Sequence, residues 1–206
     1  RYYSQIYWQD ATTPFGAERL FPQKDTSPRF PQILTDAGVT TINTSAHAGY
    51  TAEYGVVTGF ATEAFEGKSV KEIGKLTRRM LREPGQLFIY AHILEPHAPY
   101  NAAGDTPFEK YLGEVAVVDR EVGALRDAIA KSKQAASTIL IISADHGEAF
   151  QEHGVSFHGS TVYDEMVRIP LIVHIPRRAP RMIDEPVSLV DLGPTILDLF
   201  GQETPG

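Results

Sequence analysis

Three apolar-rich runs, GQLFIYAHI (85–93), STILIISA (137–144) and PLIVHIP (170–176), constrain this chain more than any other feature. Runs of that length predict strands buried on both faces, and such strands need helices to cover them. The intervening sequence supplies those helices. Thr106-Pro107-Phe108-Glu109 joins a capping box to a proline at the first helical position. Beyond it Tyr111, Val115, Val118, Val122, Leu125 and Ile129 recur at spacings of three and four, which makes one apolar face. Ser69-Val70-Lys71-Glu72 is a second capping-box pattern, opening a helix to about Arg82. Ser27-Pro28 predicts another helix start, with Ser27 as N-cap and an end near Gly38, and VTTIN (39–43) follows as a strand. PVSLV (186–190) reads as a short strand, after which Asp191 caps a last helix running through Phe200 and closed by Gly201. Residues 1–26 are aromatic-rich and aperiodic, an irregular extension. The expected fold is α/β, a mostly parallel (mixed) sheet sandwiched by helices, in a single domain over residues 1–206.

Composition narrows the function classes. A formal net charge of -7 leaves no basic stripe to neutralise phosphates, which excludes an electrostatic nucleic-acid binder. Arg177, Arg178 and Arg181 read as a solvated loop. The absence of cysteine excludes disulfides, thiolate metal sites and a cysteine nucleophile within this sequence. No apolar run approaches the roughly 18 residues of a bilayer span, so no membrane segment is expected in this chain.

In open α/β sheets, sites form where strands hand over to loops at their carboxyl ends. Two such exits carry His and carboxylate together: EPHAPY after 85–93 and ADHGE after 137–144. Asp145 offers an anionic oxygen and His146 an imidazole nitrogen, a pair suited to Zn²⁺ or Mn²⁺ and less to Ca²⁺. Gly147 lets the backbone turn sharply between them and the next side chain. The competing reading has Asp145 capping a helix while His146 sits on the surface. His153 and His158 follow in a glycine-containing loop, and Pro96 and Pro99 present His97 rigidly. His47 lies in a polar loop, NTSAHAGYT, from which it can approach a site. Glu148 and Glu152 are expected to be solvated, with a lesser chance of orienting a His ring. His92 and His174 read as strand residues, and Tyr163, Asp164 and Glu165 as a packed tyrosine beside surface acids.

Taken together and in order, these segments resemble the carboxyl-terminal part of the catalytic domain of the sulfatase family, in the alkaline phosphatase superfamily. The segments are PQILTDAGVTTINTSAH with Gly59-Phe60, FIYAHILEPHAPY, YLGEVAVVDREVGAL, SADHGE, EHG, HGSTVYDEMVRIPLIVHIP and VSLVDLGPTILDLFG. The resemblance spans about residues 27–201 and implies a sulfuric ester hydrolase that depends on a divalent ion held by Asp145 and His146. It also implies that His97 contacts the transferring group or protonates the leaving group. His158 falls where many relatives place a Lys or His that holds the anion or assists the leaving alcohol. Glu148, His153 and His47 are then candidates for orienting these groups or touching substrate. The substrate would be a small-molecule or glycan sulfate or phosphate ester.

Two departures from the family pattern matter. Asp-His in place of the frequent Asp-Asn favours Mn²⁺ or Zn²⁺ over Ca²⁺. It keeps phosphodiester or phosphonate ester hydrolysis, and phosphoethanolamine-type transfer, as alternatives within the superfamily. The second departure is that the family's amino-terminal Asp ligands and its nucleophile motif, Cys or Ser followed by x-Pro-x-Arg, do not occur in this sequence. Arg1-Tyr2-Tyr3-Ser4 resembles the stretch just after the nucleophile helix, so the expectation is an incomplete piece of the enzyme, inactive alone. Such a piece would expose a sheet edge and self-associate. A periplasmic, extracellular or membrane-anchored parent is implied by the resemblance only. The reading from another class is a non-catalytic scaffold that keeps the fold; the joint presence of Asp145, His146, His97 and His158 counts against it.

Overall fold

The computed structural model of the protein describes residues 28–47, 50, 52, 57–65 and 70–205. The expected caps Ser27 and Ser69 and the extension 1–26 lie outside these residues. In chain order the elements are α1 (Phe30–Asp36), β1 (Thr40–Ser45), β2 (Thr62–Phe65), α2 (Val70–Met80), β3 (Leu87–His92), α3 (Pro107–Ala130), β4 (Leu140–Ser143), β5 (Ala149–Phe150), β6 (Ser156–Phe157), α4 (Asp164–Val167), β7 (Leu171–His174) and α5 (Leu192–Leu199). The chain divides into two compact units, residues 1–94 with 190–206, and residues 95–189. Among the described residues no helix is long and apolar enough to cross a membrane.

The first unit is built on a parallel sheet in the order β2-β1-β3. Parallel strands have both faces covered, and β1 obeys this: Thr41, Ile42, Asn43, Thr44 and Ser45 are all buried. On one face Ile42 packs with Leu76 and Met80 of α2, joined by Ala64, Leu87 and Ile89. Val70, Ile73, Leu76, Thr77 and Met80 make the buried stripe of α2 at helical spacing. Leu34 of α1 is fully buried, so Leu34→Ala is worth about 2–5 kcal/mol of stability. Several of the buried polar groups of β1 are hydrogen-bonded, while Asn43 Oδ1 and Thr44 Oγ1 have no hydrogen-bond partner among the described residues. Thr41 Oγ1 lies 2.6 Å from Thr35 Oγ1 and accepts the Ala61 N–H at 2.8 Å, while Asn43 Nδ2 donates to the Tyr50 carbonyl at 2.9 Å.

The helix expected from Ser27-Pro28 starts at Phe30, with Arg29 in the cap position and Pro31 taking the first-turn place expected for Pro28. Its end agrees with expectation, Gly38 following at φ +85°. PVSLV forms no strand: Val187 and Val190 are exposed, no described strand pairs with them, and a 3₁₀ turn at Leu189–Asp191 stands there instead. β-Branched residues without a ladder partner do not hold an extended conformation by themselves. Asp191 occupies the cap position of α5 without a side-chain capping bond; its carbonyl accepts the Thr195 hydroxyl at 2.6 Å.

In the second unit the capping box of α3 is present. Thr106 Oγ1 accepts the Glu109 N–H at 3.2 Å, and Glu109 Oε2 accepts the Thr106 N–H at 3.0 Å. Of the expected apolar face of α3, Ile129 is buried and Tyr111, Val118, Val122 and Leu125 are half-buried; Val115 alone of the six is exposed, while Glu114, one position earlier, is buried. Strands β4 and β7 pair antiparallel, Leu140 opposite His174 and Ser143 opposite Leu171. The first unit's small sheet is parallel as expected, but among the described residues β4 and β7 form a separate antiparallel pair with Ile172 and Val173 exposed, not part of one mixed sheet covered on both faces. A short hairpin of β5 and β6, which the sequence pattern did not indicate, follows the Asp-His-Gly segment.

Candidate active site

Asp145, His146 and Gly147 leave the carboxyl end of β4, and the backbone there is held tightly. The Gly147 N–H donates to the Met166 carbonyl at 2.7 Å, and a Cβ on Gly147 would stand 2.1 Å from the Glu165 carbonyl oxygen. Glycine is needed here for close approach to the backbone of α4; its φ is not in the left-handed region. Asp145 Oδ1 accepts the His146 N–H at 3.0 Å and lies 3.6 Å from His146 Nε2. His146 Nδ1 donates to the Gly147 carbonyl at 2.8 Å, which leaves Nε2 as the ring nitrogen beside the Asp145 carboxylate.

Two lone-pair atoms facing each other at that distance suit a shared cation, since donors each about 2.1 Å from a tetrahedral ion sit roughly 3.4 Å apart. The residues fit two positions of a metal shell. Among the described residues no group of three or more His, Cys, Asp or Glu side chains is arranged to hold an ion.

Around this pair the second unit collects the other histidines of its loops. The His158 ring stacks on His146 with centroids 3.9 Å apart, and the His97 ring meets His158 edge-on at 5.6 Å. His97 Nδ1 donates to the Ala98 carbonyl at 2.6 Å, between two cis X-Pro bonds, Glu95-Pro96 and Ala98-Pro99. His158 Nδ1 donates to Glu148 Oε1 at 3.1 Å. Each of the three rings thus spends Nδ1 on a protein acceptor, so Nε2 is the nitrogen available for an ion, an anion or a transferring proton. An open cleft of about 410 Å³ borders Asp145, His146, His158 and Thr161, with Met166 and Leu171 on its apolar side.

Glu148 is not solvated as the sequence reading expected: its side chain is 7% exposed. Its second oxygen, Oε2, accepts the Tyr100 hydroxyl at 2.6 Å. Tyr100 packs in turn against Tyr111 and Phe150, which Phe108 also touches. Burial first, and the bond to Glu148 second, push the Tyr100 phenol well above its usual range, so it stays a hydroxyl donor. Tyr111 is raised by burial as well.

Sequence reasoning missed Tyr100 as a site residue, although it lies in the EPHAPY loop three positions after His97. It also missed Glu114, whose Oε1 accepts the Asn101 N–H at 2.5 Å and fixes the end of that loop.

His153 lies apart from the three rings. It stacks on Tyr163 at 3.9 Å, and its Nδ1 meets Glu165 Oε1 at 2.7 Å. Glu165, expected on the surface, is largely covered, and the bond from His153 holds its carboxyl below the ordinary range. Glu152 Oε2 accepts the Phe150 N–H at 2.6 Å. His47 belongs to the first unit, where its ring meets Tyr50 edge-on at 5.5 Å and its N–H donates to Ser45 Oγ at 3.0 Å.

A family model described as Sulfatase matches residues 9–202. Over 88 residues the chain is 38% identical to the uncharacterised sulfatase YidJ of Escherichia coli (strain K12), covering 43% of this chain and 18% of that protein. Over 91 residues it is 30% identical to a choline-sulfatase of Rhizobium meliloti (strain 1021), again 18% of that protein's length. The matched stretch is thus less than a fifth of either curated relative. In fold the chain is similar to a 2-O GAG sulfatase, with a TM-score of 0.71 at 17% identity, covering 88% of this chain and 54% of the other. A second solved structure, Ps i-CgsB in complex with k-i-k-neocarrahexaose, gives a TM-score of 0.67 at 18% identity over 85% of this chain and 54% of the other.

Proposed function

The chain belongs to the sulfatase family, and on that premise we propose that it carries one part of a site for metal-dependent hydrolysis of a sulfuric ester. The observation that supports this most is the convergence of Asp145 Oδ1 and His146 Nε2, with His158 stacked beside them and His97 at its edge. Asp145 and His146 would hold a divalent ion, Mn²⁺ or Zn²⁺ ahead of Ca²⁺ for an oxygen-nitrogen donor pair. Such an ion offsets negative charge on the ester oxygens.

His97 and His158, each anchored through Nδ1, direct Nε2 at the anionic group. There, in the doubly protonated form, they donate hydrogen bonds from Nε2 as charge builds on its oxygens, and one of them gives its Nε2 proton to the departing alcohol, reverting to the neutral Nδ1–H ring. These 206 residues contain no Cys or Ser followed by x-Pro-x-Arg, so the reading assigns this chain no attacking group. The relatives' descriptions, a choline-sulfatase and a 2-O GAG sulfatase, favour a small alcohol or a glycan as the sulfated partner. The Asp145-His146 pair, in place of Asp-Asn, gives phosphoric ester hydrolysis as the second reading.

The test uses the natural protein with an aryl sulfate and an aryl phosphate in the presence of Mn²⁺, Zn²⁺ or Ca²⁺. Sulfate turnover that disappears in Asp145→Ala supports the first reading, and phosphate turnover alone supports the second. A folded protein inert toward both esters with every ion would leave the non-catalytic scaffold. Strand β7 exposes Ile172 and Val173. The 206-residue chain should accordingly self-associate, and a clean monomer by light scattering at high concentration would contradict that.

A further inference from the structure

Glu148, which the proposed chemistry leaves without a task, is better buried than Asp145 or Glu165, the other acidic side chains paired with histidines of this unit. Its two oxygens do different work. Oε1 accepts a hydrogen bond from His158 Nδ1–H, and Oε2 accepts one from the Tyr100 hydroxyl. Tyr100 sits three residues beyond His97 in the same loop, and Glu148 itself follows His146 by two. A single carboxylate therefore touches, or directly continues, all three segments that carry the histidines.

The surroundings make this link stiff. Tyr100 is wedged among Tyr111 and Phe150, with Phe108 and Phe150 at 5.2 Å behind them. Glu114 clamps the next residue, Asn101, through its backbone N–H. A hydroxyl held this way cannot swing to follow a mobile carboxylate, so Glu148 is fixed from behind and His158 is fixed by Glu148. A buried carboxylate bonded on both oxygens is costly to leave half satisfied, which makes the three-membered arrangement cooperative.

We propose that Glu148 is the positioning residue of this site: with Tyr100 as its anchor, it sets the ring orientation and tautomer of His158 and couples the His158 loop to the His97 loop. This rests on the reading of His158 as a group that holds the anion or donates to the leaving oxygen. Glu148 itself touches no reacting atom. With Nδ1 committed to Glu148, the His158 ring offers only Nε2 to the cleft. Without that bond the ring rotates between orientations, and Nε2 is aligned for a fraction of the time.

The experiment is ¹⁵N spectroscopy of the imidazole nitrogens in the natural protein, the His158 signals being assigned with His158→Ala, together with kcat and KM for whichever ester is turned over. In its neutral form His158 should show the single Nδ1–H tautomer. Glu148→Ala should replace it with an averaged pair of signals and lower kcat roughly 10–100-fold with little change in KM, the usual size for loss of an orienting partner. Glu148→Gln keeps an acceptor oxygen and should restore most of both. Tyr100→Phe touches no histidine, yet it should move the His158 signals part of the way. If Glu148→Ala does not fold, Glu148→Gln and Tyr100→Phe carry the comparison. Unchanged His158 signals in folded Tyr100→Phe and Glu148→Ala would overturn the proposal. Absence of any esterase activity would count against the catalytic reading, while the imidazole signals would still decide the positioning role.

Discussion

Histidines collect near strand ends in both units, but the two collections are built differently. In the first unit His92, at the end of β3, lies flat against Tyr50 with centroids 4.2 Å apart, and His47 meets the other side of the cluster edge-on. The neighbouring Ser45 is buried, with its Oγ 3.4 Å from His92 Nδ1 and bonded to the His47 backbone. In the second unit the rings also touch, but each is pinned by Nδ1 to a carbonyl or carboxylate, and they adjoin the half-exposed Asp145 and an open cleft. The difference teaches that proximity of imidazoles says little about chemistry. What prepares a histidine is an acceptor behind one nitrogen and open space before the other.

The strongest test of that contrast removes one side chain from each cluster. Asp145→Ala should lower ester turnover by at least roughly 10²–10³-fold, the scale for losing a preorganised electrostatic contact. His47→Ala should leave turnover within error, and an equal loss in both variants would erase the distinction. Next in size is Gly147→Ala. The added methyl meets the Glu165 carbonyl at 2.1 Å, so the variant should lose about 1–3 kcal/mol in denaturant unfolding and bind added metal more weakly. Ser45→Ala should cost about 1 kcal/mol in denaturant unfolding, the net worth of a typical hydrogen bond.

The smallest expected effect lies in the His153–Glu165 pair. Glu165 has its pKa depressed in the folded state, chiefly by the His153 hydrogen bond. Its contribution is therefore present above the ordinary glutamate range and is lost as pH falls through the lowered value. Acid unfolding followed by circular dichroism should show a shallower loss below that range in Glu165→Gln than in the natural protein. Identical acid limbs would mean that the pair adds nothing.

Much of this was legible in the residues. The capping box at Thr106 and Glu109 is a local device, satisfied by groups three positions apart, and the structure contains it as written. The runs at 85–93 and 137–144 became strands because continuous apolar segments have few other ways to be buried, and the Asp-His-Gly segment follows the second strand as the pattern of carboxyl-end loops requires.

Other features depended on partners distant in sequence. Whether β7 pairs parallel or antiparallel with β4 is decided by the path between them, and PVSLV forms no strand because, among the described residues, none lies in a ladder with it. The burial of Glu148 could not be read from ADHGE, since its acceptors are engaged by Tyr100, 48 positions away, and His158, 10 away. The sequence by itself determined which residue types stand at the strand ends. Only the tertiary structure decided which of them are anchored, because a side chain's hydrogen-bond partner and its exclusion from water are set by what the rest of the chain packs against it.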